Sequence, residues 1–232
     1  MSADVITLYD LVFQDDRRPS PFCWRTKYAL AHKGLKWTEV PTGFTEKEKI
    51  GFAGSQTVPV IKDGDTPVRD SWTIANHLDK AHPDKPLFKS EMARSYALFV
   101  NGWVDTQVHA ALAPLVIGDL YERVRPVDQP YIKESRGKRF GSMDLAAVQS
   151  AAREKGPTAF RAVLEPARRT LKAQKFLAGD APAYPDYTLM GAFLWARIVS
   201  PYELLESDDP VLAWRERMLD LYDGMGRRAK AA

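Results

Sequence analysis

Residues Gln56 to Trp72 read QTVPVIKDGDTPVRDSW, a pattern of two short strands, a tight turn and a helix start. Val58-Pro59-Val60-Ile61 is β-branched and apolar apart from the proline. A proline cannot donate to a sheet ladder, so it belongs at the first residue of a strand or on an edge. Lys62-Asp63-Gly64-Asp65 is turn-forming, and Asp63-Gly64 favours a tight hairpin. Asp70-Ser71 then reads as the cap of a helix beginning at Trp72. Singly, a Val-Pro step is common and an Asp-Ser pair before a helix is most simply a cap. The ordered set, with its spacing and flanking strands, is the specific signal.

Upstream, Val5 to Tyr9 alternates and opens with β-branched residues, which predicts the first strand. Leu11 to Pro19 is a polar loop, and Ser20-Pro21 places a cap residue before a proline at the first helical position. That helix should run to about Lys33, with Phe22, Thr26, Ala29 and Leu30 on one stripe and Lys27 off it. His32 and Lys33 suit its negative end, and Gly34 stops it. Trp37 to Pro41 is a second strand. A βαβ unit, which should cross over right-handed, followed by ββα is the order of a thioredoxin-like domain. It is expected to occupy residues 1–83.

Downstream, Pro83 and Pro86 mark a linker over residues 84–91, and residues 92–232 read as all-helical. Met92 to Glu122 is a long helical run that Pro114 should kink or split. Phe160, Val163, Leu164, Ala167 and Leu171 keep helical spacing. Asp186 to Val199 reads as the buried central helix, and Asp209-Pro210 starts a last one. Pro126 to Ser150 gives the weakest pattern.

The bulk numbers narrow the function classes. In 232 residues, 33 basic and 30 acidic side chains leave a net charge of +3, too balanced to indicate a nucleic-acid partner. No run of 18 apolar residues exists, so no membrane span is expected. The opening MSADVITLYD lacks a basic start and an apolar signal core, which predicts a cytoplasmic protein. Cys23 stands alone, and the four histidines are scattered, so neither a disulfide framework nor a metal site is expected.

The Val-Pro step followed by Asp-Ser resembles the glutathione-binding half of glutathione transferases. Serine followed by proline at a helix start resembles their serine-type members. The string SPFCWRTKYALAHKGL from Ser20, with Leu8-Tyr9-Asp10-Leu11 before it and Asp70-Ser71-Trp72-Thr73-Ile74-Ala75 after it, is similar to bacterial glutathione-dependent β-etherases and their fungal relatives. Similarity continues through Phe193-Leu194-Trp195 and Asp208-Asp209-Pro210, so it spans nearly the whole chain. The resemblance implies a thioredoxin-like domain followed by a helical-bundle domain, glutathione as cosubstrate without a metal, and a homodimer. It makes Ser20 the thiolate-stabilising residue and Pro59 a cis proline. Val58 becomes the backbone partner of the glutathione cysteinyl unit, and Asp70 and Ser71 hold the γ-glutamyl end. The substrates implied are hydrophobic, aromatic electrophiles, with lignin-derived aryl ethers as the etherase case.

That role suits the physics of a helix end. Unpaired N–H groups carry about half a positive charge there. A free thiol has a pKa of about 8.5, and helix N-termini bring such groups down to roughly 3.5–7.5. A serine hydroxyl would add a hydrogen bond that favours the thiolate. Together they can supply about one to two pKa units, with no general base required.

Three departures accompany the resemblance. The position before Val58, often basic in serine-type relatives, is Thr57, which leaves recognition of the glycyl carboxylate unassigned. The capping box of the family's core helix keeps Asp186 but has Ala183 in place of the hydroxyl, a loss of about 1 kcal/mol unless compensated. Some β-etherases carry a long C-terminal extension, whereas this sequence stops at Ala232. Leu11 and Phe13, then Tyr96, Phe99 and Trp103, are the candidates for the electrophile pocket between the domains. Each of these aromatics reads by default as core rather than pocket. Two rival readings stand beside this one. Ser20-Pro21-Phe22-Cys23 has the shape of a C-x-x-C motif, so Cys23 is a candidate for thiol oxidoreductase chemistry. A non-catalytic ligand-binding or regulatory protein on the same fold is the other.

Overall fold

The computed structural model describes residues 5–232; Met1 to Asp4, part of the N-terminal segment read above, lie outside them. The first strand is β1 (Ile6–Leu11), starting one residue later and ending two residues later than the alternation suggested. It is followed by α1 (Pro21–Lys33) and β2 (Trp37–Thr42). A 3₁₀ segment (Lys47–Ala53) then leads to β3 (Val60–Asp63), β4 (Thr66–Arg69) and α2 (Ser71–Ala81). The sheet order is β2-β1-β3-β4. β1 and β2 are parallel, with Ile6 opposite Trp37, because α1 carries the chain back over the sheet. β3 and β4 add antiparallel, with Leu8 opposite Ile61 and Ile61 opposite Val68. This mixed four-stranded sheet with its helices, followed by helices alone, is the predicted two-domain architecture.

The Val58-Pro59 bond is cis, and β3 starts only after it, at Val60. Asp70 alone caps α2, accepting from the Thr73 backbone N–H at 2.9 Å, and Ser71 is the first helical residue. Gly34 ends α1 at φ 70°, in the left-handed region that costs glycine nothing, and its N–H bonds the Ala31 carbonyl.

The helical half contains α3 (Glu91–Trp103), α4 (His109–Arg123), α5 (Gln129–Phe140), α6 (Leu145–Glu154), α7 (Thr158–Val163), α8 (Glu165–Ala173), α9 (Tyr184–Val199) and α10 (Pro210–Gly224). The break expected at Pro114 falls elsewhere. Pro114 lies inside α4, and the interruption is a π-turn at Val104–Val108. The stretch with the weakest pattern turns out to hold α5 and α6.

α1 departs most from its predicted face. Lys27, expected off the apolar stripe, is buried, as are Arg25 and Lys33. The helix lies between the sheet and α9, so nearly all of its sides are covered. Its charges survive burial by pairing. Lys27 Nζ stands 2.6 Å from Asp10 and 2.9 Å from Glu39, although the Asp10 contact is out of hydrogen-bond alignment. Arg25 meets Asp105 at 2.5 Å, and Lys33 meets Asp79 at 2.7 Å. α9 approaches the start of α1 at Gly191, where a Cβ would lie 2.4 Å from the Pro21 carbonyl oxygen. Only glycine fits there.

The capping loss at Ala183 is compensated. The buried Asp186 carboxylate accepts from the Ala183 and Ala178 N–H groups at 3.2 Å, from Leu177 at 2.7 Å and from the Trp214 indole at 2.9 Å. Burial still outweighs these donors and pushes its pKa up to about 6.

Candidate active site

Sequence places Ser20 at the N-cap of α1 and the fold opens a cleft of about 360 Å³ in front of it. Its Oγ accepts from the Cys23 N–H at 3.2 Å. Used as an acceptor by the helix, the hydroxyl still has a proton of its own to donate. The first turn of α1 contains no acidic residue, so no side-chain carboxylate there competes for the positive helix end.

The thioredoxin-like side of the cleft is formed by Leu11, Phe13, Ser20, Lys47, Thr57 and Val58. The N–H and C=O of Val58 have no hydrogen-bond partner among the described residues. Unpaired backbone groups of this kind are what an extended peptide ligand pairs with. Asp70 and Ser71 are not on the cleft wall, but the β3–β4 pairing brings them beside it: the Asp70 N–H donates to the Pro59 carbonyl at 3.3 Å. Asp70 has φ 70° and ψ 130°, a sparsely populated backbone conformation for a residue with a side chain. Ser71 is buried, and its carbonyl accepts from the Tyr184 hydroxyl at 3.0 Å, tying this corner to the helical half.

The helical side of the cleft includes His109, Tyr131, Arg136, Arg139, Phe140 and Trp195. Of the five residues suggested for the electrophile pocket, Leu11 and Phe13 line the cleft, and Tyr96, Phe99 and Trp103 do not. Tyr96 lies at a separate depression, with its hydroxyl 3.3 Å from the Leu177 carbonyl, and Phe99 is 72% exposed. α3 is helical as expected, but the wall comes from the next segment of chain, the π-turn and α4, where Asp105, His109 and Ala113 recur at intervals of four.

Lys47 is the functional candidate that the sequence reading missed. It sits in the 3₁₀ segment, over the Tyr131 ring at 5.4 Å, with its ammonium donating to the Gln56 carbonyl. A cation in an otherwise unremarkable charged connection carries no motif, and only the fold brings it to Thr57. His109 was missed for the same reason. Burial, then the nearby Arg25 and Arg139, push its imidazole down to about 3, so it is neutral. Its Nε2 has no hydrogen-bond partner among the described residues.

Cys23 is fully buried, and burial, reinforced by Asp10, raises its thiol pKa well above the ordinary value. Thiol exchange needs an accessible thiolate, and this side chain offers the opposite.

Comparison with known proteins follows the same division. Residues 96–220 match the model of the glutathione S-transferase C-terminal domain, and residues 19–81 match that of the N-terminal domain. The chain belongs to the glutathione S-transferase family. That family uses glutathione as its cosubstrate. Glutathione S-transferase Z1 of Arabidopsis thaliana is 33% identical over 75 residues, covering 29% of this chain and 33% of that protein. A zeta-class glutathione S-transferase of Euphorbia esula is 25% identical, over 52% of this chain and 57% of its own length. The chain thus spans between about a third and 57% of these curated relatives. Among solved structures, glutathione transferase GSTFuA3 from Phanerochaete chrysosporium is 26% identical with a TM-score of 0.78, covering 96% of this chain and 93% of that one. CsGST63524 of Ceriporiopsis subvermispora, solved in complex with glutathione, has a TM-score of 0.74 at 23% identity, over 97% and 95% of the two chains, a likeness of fold.

Proposed function

We propose that this protein is a cytoplasmic, serine-type glutathione transferase with its glutathione-binding domain in residues 1–83 and its electrophile-binding domain in residues 92–232. The observation that carries the reading is a capping hydroxyl, Ser20, on the wall of the same cleft as the unpaired Val58 backbone beside a cis proline. In this reading the Val58 N–H and C=O bind the cysteinyl backbone of glutathione, next to Thr57. Asp70 and Ser71 hold the γ-glutamyl ammonium and carboxylate, and Lys47 takes the glycyl carboxylate that Thr57 cannot pair. Ser20 donates to the thiolate, the α1 end stabilises its charge, and the thiol proton passes to solvent. The sulfur then attacks an electrophilic carbon, and the bond to the leaving group breaks as the carbon–sulfur bond forms. β-Aryl ethers of lignin-derived aromatics, with an aryloxy leaving group, are the substrates we assign on the resemblance.

An ultraviolet titration of the bound glutathione thiolate tests this directly. The thiol pKa should lie one to two units below its free value of about 8.5, and Ser20→Ala should raise it and slow turnover of an aryl-ether ketone. Unchanged pKa and rate in that variant would remove Ser20 from the mechanism. Turnover of a generic aryl halide without the ether would keep the transferase and discard the etherase.

We also assign a homodimer. Support comes from an apolar stripe on α3, where Met92 is 83% and Phe99 72% exposed and Tyr96 lies between them at helical spacing. Phe99→Glu should convert a dimer to a monomer by light scattering; a wild-type monomer would end the assignment.

A further inference from the structure

The cleft has an unbalanced charge. Among the described residues, three cations line it, Lys47, Arg136 and Arg139, and the one carboxylate, Asp105, is already held by Arg25 at 2.5 Å. Elsewhere in the helical half, arginines sit on carboxylates: Arg125 on Asp128 at 2.8 Å, Arg153 on Asp119 at 2.6 Å and Arg168 on Asp209 at 2.8 Å. On α5 itself Lys138 pairs with Glu134 at 2.6 Å. Arg136 and Arg139, three residues apart and lining the cleft, have no ion pair among the described residues; the Arg139 guanidinium lies over the Phe140 ring face at 5.8 Å. Arg136 is half-buried, and that burial, more than any neighbour, pushes its guanidinium pKa down. A desolvated cation without a counter-ion is costly, and an anionic ligand relieves the cost.

The two arginines belong to the helical wall, with Phe140 and Trp195 beside them, whereas the groups suited to glutathione lie on the opposite wall. Arg139 is exposed, yet it lines the same cleft as His109 and Trp195. We infer that Arg136 and Arg139 form an anion-recognising end of the electrophile site, so that this protein selects aromatic electrophiles carrying a carboxylate. The aromatic walls take the ring and the guanidinium forks take the carboxylate, an arrangement suited to bidentate pairing. The inference deepens the transferase reading and rests on it for the identity of the site.

The test compares 4-chloro-3-nitrobenzoate with its methyl ester as substrates of the full chain with glutathione. In both, chloride leaves as the carbon–sulfur bond forms. The KM for the acid should be lower than that for the ester by on the order of tenfold, and added salt should erode the difference. Arg136→Met and Arg139→Met should each raise the KM for the acid about tenfold, leaving the ester and the KM for glutathione unchanged. Equal KM values for acid and ester in the wild-type protein overturn the inference. So do variants that raise the KM for glutathione while keeping the preference for the acid, since the arginines would then serve glutathione. If neither compound turns over, the transferase reading fails, and the arginines are judged separately by titrating unreactive 3-nitrobenzoate against tryptophan fluorescence. Binding weakened about tenfold in the two variants supports the carboxylate site, and equal binding rejects it.

Discussion

The two helix ends of the thioredoxin-like domain are capped by different chemistry. Ser20 caps α1 with a neutral hydroxyl that accepts from Cys23 and still has a proton to give. Asp70 caps α2 with a carboxylate that accepts from the Thr73 N–H at 2.9 Å and its hydroxyl at 3.1 Å. A carboxylate cap spends the positive helix end on itself and leaves a negative site, suited to an ammonium group. A hydroxyl cap leaves that end available to an outside anion. In the proposed reading, the same structural device makes two opposite electrostatic sites, one for the thiolate of the central cysteinyl residue and one for the γ-glutamyl ammonium.

Exchanging the chemistry breaks the comparison most severely. Ser20→Asp should keep the cap and the stability of α1, yet place a negative charge where the thiolate must sit. Turnover should fall by on the order of a hundredfold, with a bound-thiol pKa at or above the free value. Retained activity in that variant would show that the helix end is not used. A smaller effect is expected at the other cap. Asp70→Asn keeps a capping oxygen and removes the charge, so the KM for glutathione should rise about tenfold while the bound-thiol pKa stays put. A shifted pKa with an unchanged KM would contradict the division of labour.

Across the cleft, His109 gives a stability signal rather than a catalytic one. Its folded pKa of about 3 lies below the ordinary value, so the stability linked to its neutral form is present in full above about pH 6.5. That stability is lost as pH falls from there toward 3. His109→Gln should therefore lose less stability than the wild-type protein on acidification, by a few kcal/mol over that window. Denaturant melts with parallel pH dependence in the two proteins would sink this. The smallest effect is expected at Cys23. Cys23→Ala should lower stability by about 1 kcal/mol through lost packing, with turnover within twofold of wild type. A hundredfold loss with a normal melting curve would restore the thiol-exchange chemistry.

Local signals were legible wherever neighbours in sequence supply the determining contact. Ser20-Pro21 and Gly34 bounded α1 correctly because a cap and a left-handed stop act within one turn. Asp63-Gly64 marked the hairpin because turn geometry depends on few residues. The cis state of Pro59 came from the family resemblance, since the local sequence leaves cis in the minority. The interruption before α4 was misplaced at Pro114. A proline marks where a hydrogen bond is lost, whereas the π-turn at Val104–Val108 carries no such residue signal.

By itself, then, the sequence determined the order of elements and the caps of α1 and α2, each governed by interactions within a few residues. Tertiary structure decided which charges are buried. Lys27 became an inside residue because α9 closes over α1, an approach that Gly191 permits and that periodicity within α1 cannot encode. It also decided the composition of the cleft. Lys47, His109, Arg136, Arg139 and Trp195 come from four separate segments of the chain, and their shared electrostatic field exists only once packing brings them to one surface.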